Sequence, residues 1–373
     1  MQTTYLNLAD EIILTPRDLD VARSPLRVPA PTRILGAFNP GLTRLPSGNL
    51  LLMVRVAETL VTPLTKHAVR TMRWTREGCV LDEWSREAVD TSDPRVVRLR
   101  DQPYPTIALT SLSWLLPVEL SPDGLTVLDI AYDRAIAPSS PLHCYGLEDP
   151  RISQVDGEYL MTVCAVSESR QGSVLYRSPD AKTWTHEGLV LDHQNKDMLL
   201  FNGRIGGRYW AQTRPLGDVW LAAPLDSAYR SGPAIQFATS PDALHWKPLD
   251  EPGLRPHAAT LSTARMGGGA PPLRLPGGWL SLWHGVEPNG SVGHYRTYWT
   301  LLDPAEPWRT IRTEHHALLE PRPELLTGDE DALYLSDVVF TTGAVLAGDR
   351  LIVASGEADY ACRITHVPLS RFA

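Results

Sequence analysis

Gly146-Leu147-Glu148-Asp149-Pro150-Arg151-Ile152 sets two carboxylates and a guanidinium beside a proline. Pro150 fixes its own φ and pushes Asp149 toward an extended backbone, so these charged side chains start with few alternatives. A preorganised acid is what glycosyl transfer requires. The same residues also fit a plain strand-entry turn, in which Asp149 accepts backbone N–H bonds and Arg151 pairs with Glu148.

Three further segments join glycine to charge. Asn195-Lys196-Asp197 precedes the apolar run Met198 to Phe201, and Arg214-Pro215 follows one hairpin later. Arg265-Met266-Gly267-Gly268-Gly269 would let the backbone approach a ligand while delivering a guanidinium, and the run at Trp279 ends in Trp283-His284-Gly285. Ser355-Gly356-Glu357-Ala358-Asp359 places two carboxylates at a strand end. Singly, each of these is an ordinary surface charge, a satisfied imidazole or a wide turn. Together, Arg55, Arg151, Lys196, Arg214 and Arg265 each fall where an expected strand starts or ends. Five cations converging in an acidic protein imply an anion, because arginine forks match phosphate or carboxylate and lysine adds a point charge.

The elements that must position them are short strands. With 32 prolines and 27 glycines, the chain sustains no helical periodicity. The apolar runs at Leu50, Tyr159, Trp279 and Leu351 each follow a turn signal, Ser47-Gly48-Asn49, Asp156-Gly157, Pro276-Gly277-Gly278 and Gly348-Asp349. Each reads as the second strand of a hairpin entering the core. Ser-Pro-Asp turns recur at Ser121, Ser178 and Ser240, and Asp-Pro-Arg recurs at Asp93 and Asp149 in nearly the same phase. A repeat of about 60 residues suits one four-stranded propeller blade. The expected fold is therefore all-β, a five-bladed β-propeller over residues 31–373 behind an N-terminal arm, residues 1–30. A pair of β-sandwiches is the rival architecture.

Lys and Arg number 35 against 43 Asp and Glu, a net charge of −8. That balance argues against nucleic-acid or anionic-membrane partners, which reward a basic face. Met1 to Arg17 has no basic segment leading into an apolar run, so a cytoplasmic protein is expected. Cys79, Cys144, Cys164 and Cys362 lack metal or redox spacing and are expected to be reduced. No metal and no cofactor are expected, since the 11 histidines form no ligand pattern and Gly267-Gly268-Gly269 lacks the ending of a nucleotide loop. Linkage, acceptor sugar and homo-oligomeric state stay open.

In order along the chain, these motifs resemble glycoside hydrolase family 130, the five-bladed propellers that include β-mannoside phosphorylases and β-mannosidases. Gly146 to Ile152 resembles the family's Gly-Val-Glu-Asp-Pro-Arg-Ile signature nearly letter for letter. Phe38-Asn39-Pro40 with Arg55, Asn195-Lys196-Asp197, Arg214-Pro215, Gly267 to Pro272, His284-Gly285-Val286 and Gly356 to Asp359 resemble its other segments. The resemblance implies inverting displacement on a short β-mannoside, with Asp149 as the acid. Inorganic phosphate, the co-substrate, would be held by Arg55, Arg151, Lys196, Arg214 and Arg265, and the product would be α-mannose 1-phosphate. It also implies sugar contacts from Asn39, His284 and Asp359.

Several positions depart from the family pattern. Thr213 stands for histidine, Arg265 for lysine, Asn202 for proline, and Ala354-Ser355-Gly356-Glu357 for Tyr-Tyr-Gly-Ala. Glu357 is accordingly an alternative base, which would make the protein an inverting, water-using β-mannosidase. A catalytically silent propeller that binds carbohydrate or protein is the third reading.

Overall fold

The computed structural model describes residues 8–191, 193–217, 219–257, 265–290 and 292–373. Among them, five antiparallel sheets of four or more strands follow one another along the chain, and the helical segments are short 3-10 turns. No helix among the described residues is long and apolar enough to cross a membrane. The runs expected to enter the core do so as second strands, Leu50–Leu60, Glu158–Val166, Gly278–Glu287 and Arg350–Glu357, each paired with the strand before it.

Strand periodicity explains how the sheets stack. Side chains alternate faces, so one apolar strand can serve two cores. Leu50, Leu52 and Val54 pack with Ile352 and Ile364 of the last sheet, while Leu51 and Met53 pack with Ile152 and Met161 of the second. The same sharing links the second sheet to the third through Leu160 and Met198, and the third to the fourth through Phe201 and Trp279. Leu282 and Val353 then join the fourth to the fifth. Consecutive sheets share cores and the fifth meets the first, which is not the arrangement of two facing sandwiches. The first strands lie innermost in this series, with Thr32–Arg44 between Leu147–Val155 and Val339–Ala347.

The Ser-Pro-Asp turns act as structural turns, as expected. Asp180 accepts from the N–H groups of Lys182 and Thr183, and Asp242 repeats this with Leu244 and His245. All four cysteines are free and buried. Residues 61–111 depart from the repeat. They leave the first sheet after Leu60, form the hairpin Ala68–Thr75 and Gly78–Ser85 and a three-stranded sheet, and return at Leu112.

Asp10–Leu14 is the outer strand of the last sheet, paired with Ala361–Pro368. Asp10 receives Arg363 through two bonds, at 2.6 and 2.8 Å, with Arg322 at 2.8 Å and Thr365 at 2.9 Å. Arg363 is buried and Asp10 partly open, so Asp10→Ala removes two of the guanidinium's bonds while those to Glu357 and the Glu320 carbonyl remain. The expected loss is about 2 kcal/mol, less than for a fully buried pair, read from urea unfolding.

Candidate active site

Three innermost strands break register at the same step. Phe38 pairs with Arg55 but Gly41 with Met53; Glu148 pairs with Cys164 but Arg151 with Thr162; Lys196 pairs with Arg214 but Leu199 with Gln212. Each break holds a left-handed residue, Asn39 at φ 48°, Asp149 at φ 53° and Asp197 at φ 54°. Asn and Asp tolerate that region better than other residues with a side chain, and a bulge re-aims the side chain it carries. Asp149 is thus not extended, as the following proline suggests. The bulge takes precedence, and it brings three polar side chains from separate sheets together.

Asp149 sits at the middle of them. Its Oδ1 accepts from Asn39 Nδ2 and from Arg55 Nη1, both at 2.9 Å, while Oδ2 takes no hydrogen bond among the described residues. Arg55 also donates to Glu148 at 2.9 Å and to Ser113 at 3.1 Å, and Lys196 Nζ reaches the other Glu148 oxygen at 3.1 Å. Burial pushes the Asp149 carboxyl up, but the charges of Arg55, Arg151 and Lys196 and the Asn39 bond outweigh it and hold the group well below the usual carboxylate range. Asn39, expected as a sugar contact, donates to the oxygen of Asp149. Gly356 makes room for it, because a Cβ there would stand 2.1 Å from Asn39 Oδ1.

Arg151 does not reach a ligand position. Its side chain is 1% exposed, and it donates to the carbonyls of Asp149, Gly268 and Gly269 and to Asp197 Oδ1. With its donors so committed, it supports the bulge from beneath and cannot grip phosphate. The glycine run serves the same purpose: a Cβ on Gly267 would lie 2.4 Å from Asp197 Oδ2. Gly267 admits the protein's own carboxylate and imidazole, Gly268 the Leu199 side chain and Gly269 the Leu282 carbonyl, where a close approach to ligand was expected.

Asp197 is the residue that sequence reading passed over. It bridges Arg151 and Arg214, with Arg214 Nε at 3.1 Å and His284 Nε2 at 3.7 Å. His284 is buried, and its Nε2 faces both Arg214 Nη1 at 3.4 Å and Asp197 Oδ2 at 3.7 Å. Burial, with Arg214, Arg151 and Arg265 nearby, pushes that imidazole down to about 3. His284 thus packs against Arg214 and Asp197 within the site.

Lys196 and Arg214 are direct cross-strand partners. Like charges placed opposite each other destabilise a sheet, and these side chains remain 24% and 11% exposed. Lys196 has donors beyond its Glu148 bond, and Arg214 Nη2 has no hydrogen bond among the described residues. Arg265 lies near the same edge, where it donates to the Tyr295 hydroxyl at 2.5 Å and to the Val292 carbonyl. Counted with Arg55 and Arg151, the cations face Glu148, Asp149 and Asp197, so most of their charge is balanced internally. The Lys196–Arg214 pair is the part with donors left over.

Asp359, left-handed at φ 49°, flanks the site on the other side. Burial, with help from Asp149 and Glu148, pushes its carboxyl up to about 6 against the pull of Arg55 and Arg95. Tyr334 donates to its backbone carbonyl at 3.1 Å. Glu357 points elsewhere. It is fully buried, takes Arg363 at 2.8 Å and the Arg322 N–H at 2.6 Å, and has no path to a water that could attack a sugar. Its expected role as an alternative base is replaced by a structural one. Asn202, another departure, ties the Gln154 N–H to the Pro271 and Pro272 carbonyls. Glu148, Tyr295 and Tyr334 were also missed as site residues. Glu148 stood inside the signature, while nothing in the sequence around either tyrosine marks it.

Comparison with known proteins adds to this geometry. The glycoside hydrolase family 130 model, described as β-1,4-mannooligosaccharide phosphorylase, matches residues 112–372. A β-1,2-mannobiose phosphorylase of Listeria innocua serovar 6a is 28% identical over 340 residues, 87% of each chain. A 1,2-β-oligomannan phosphorylase of Thermoanaerobacter sp. strain X514 is 32% identical over 217 residues, 57% of this chain and 65% of that one. The solved structure of a β-1,2-mannobiose phosphorylase from Listeria innocua with β-1,2-mannobiose superposes with a TM-score of 0.80 at 26% identity, covering 98% of both chains.

Proposed function

The chain belongs to glycoside hydrolase family 130, and from that premise we propose that it cleaves short β-mannosides with inorganic phosphate, inverting the anomeric carbon to give α-mannose 1-phosphate. The cyclic series of shared cores supports a five-bladed propeller as its single catalytic domain. The observation that carries phosphorolysis is the Lys196–Arg214 pair, two cations directly opposite each other beside the acid. A phosphate between them turns a repulsive pair into a clamp.

Asp149 is the acid and Lys196 and Arg214 hold the nucleophile. Arg55 and Asn39 hold Asp149 by one oxygen so that the other meets substrate. A phosphate oxygen forms the new bond to the anomeric carbon as the glycosidic C–O bond breaks. The departing oxygen takes up a proton from Asp149, directly or through a sugar hydroxyl. Phosphate needs orientation rather than deprotonation, so no carboxylate base is required. Its charge also offsets Lys196 and Arg214, which lifts the Asp149 carboxyl toward a range where it can carry a proton.

Turnover of β-1,2-mannobiose with and without inorganic phosphate tests this reading. α-Mannose 1-phosphate formed only with phosphate is the expected result. Free mannose at the same rate without phosphate would overturn it and make Asp359, not Glu357, the candidate base.

Asp359 is proposed as a sugar contact, which gives a pH dependence of known sign. Above about 6 its carboxylate accepts charge-assisted hydrogen bonds from hydroxyls, and below it the proton turns one oxygen into a donor and weakens acceptance by the other. The kcat/KM for sugar, which reports the free enzyme, is expected to fall on the acid side of pH 6, and Asp359→Asn to lower kcat/KM and flatten that limb. A limb unchanged in the variant would assign it to another group.

A further inference from the structure

Asp93-Pro94-Arg95 repeats the site signature, yet it lies in residues 61–111, the excursion from the first sheet. Asp93 is buried and grips Arg95 by both oxygens, Nε to Oδ1 at 3.1 Å and Nη2 to Oδ2 at 3.0 Å, with the Arg95 N–H on Oδ1 at 3.0 Å. Nη1 takes no hydrogen bond among the described residues, and the side chain stays 31% exposed. The loop is anchored to the site. Thr110 donates its N–H to the Arg95 carbonyl and its hydroxyl to the Pro94 carbonyl, and Thr59, at the end of the strand carrying Arg55, donates to the Thr110 carbonyl at 2.7 Å. So held, Arg95 stands within electrostatic reach of the Asp359 carboxylate and the Tyr295 hydroxyl.

We propose that Arg95, fixed by its fork to Asp93, is a specificity-determining residue that binds the sugar on the leaving side of the cleaved bond. The inference rests on the phosphorylase reading. The fork to Asp93, which Arg98 also approaches at 4.0 Å, holds Arg95 as a rigid donor whose remaining Nη1 suits a hydroxyl group. Its neighbour Asp359 abuts the first sheet, where its carbonyl would stand 2.5 Å from a Cβ on Gly36, whereas the Lys196–Arg214 clamp belongs to the third sheet, with Asp149 in the second between them. Substrate lying from that clamp past Asp149 meets Arg95 with its far sugar.

The reverse reaction separates the partners. With wild type first shown to make disaccharide from α-mannose 1-phosphate and mannose, Arg95→Ala is expected to raise the KM for mannose about tenfold. The KM for α-mannose 1-phosphate, and for phosphate in the forward direction, should stay within about twofold. Arg95→Lys keeps the charge but not the fork and should resemble Arg95→Ala, while Asp93→Asn, which loosens the grip, should move mannose KM in the same direction. An equal rise in the KM for phosphate or α-mannose 1-phosphate would make Arg95 an anion ligand and overturn the proposal. So would an unchanged mannose KM in any of the three variants that folds, or wild-type behaviour from Arg95→Lys. Failure of wild type to use phosphate at all would instead remove the underlying reading.

Discussion

Asp149→Asn is expected to lower turnover of β-mannosides by about a thousandfold, the scale of a lost general acid, with no rise in the KM for phosphate. The substitution keeps shape and keeps an oxygen for Asn39 Nδ2, so the bulge retains one of its bonds. What it removes is the transferable proton and one negative charge among Arg55, Arg151 and Lys196. Losing that charge leaves the neighbouring cations less balanced. Phosphate should therefore bind as well as before or better, while the chemical step collapses. The same loss makes the variant less stable at neutral pH, because a carboxyl held below its ordinary value contributes stability that is present above that value and lost only as pH falls. Thermal unfolding beside the kinetics keeps the two effects apart. Turnover retained within tenfold of wild type would show that another group supplies the proton.

The fold was legible because it is written in local signals. Turn residues before four apolar runs, and a repeat carried by Ser-Pro-Asp and Asp-Pro-Arg, are enough to predict all-β sheets in series. Asp149 was legible too, since its proline and its charged neighbours lie in one segment. The electrostatic balance was not. Arg151, Lys196 and Arg214 are separate letters in sequence, and only register shows that Asp197 binds the first and third while Glu148 binds the second. A left-handed residue before proline is equally invisible, because the preference of that position runs the other way and a tertiary bulge overrides it. Glu357 and Asp359 show the same limit. Two residues apart at a strand end, they go to an ion pair in the last sheet and to the site, respectively.

Lys196→Ala is expected to raise the KM for phosphate by about thirtyfold, with a smaller loss in kcat, because one charge-assisted partner of the anion disappears. The size follows from where the lysine stands. Its only hydrogen bond among the described residues is to Glu148, which Arg55 continues to hold, so the substitution leaves no carboxylate without a partner. Arg151→Ala would behave differently. It would take the Arg151 donors from the buried Asp149, Gly268 and Gly269 carbonyls and one of the two arginines from Asp197, and so destabilise the fold before any kinetic constant could be read. This difference distinguishes the two cations that sequence reading had grouped together. Lysine loss should appear in the phosphate titration of a protein that unfolds near the wild-type temperature. It should also relieve the cross-strand repulsion with Arg214, which limits any loss of stability. A phosphate KM unchanged in Lys196→Ala would place the anion elsewhere, with Arg265 beside Tyr295 the next position to vary.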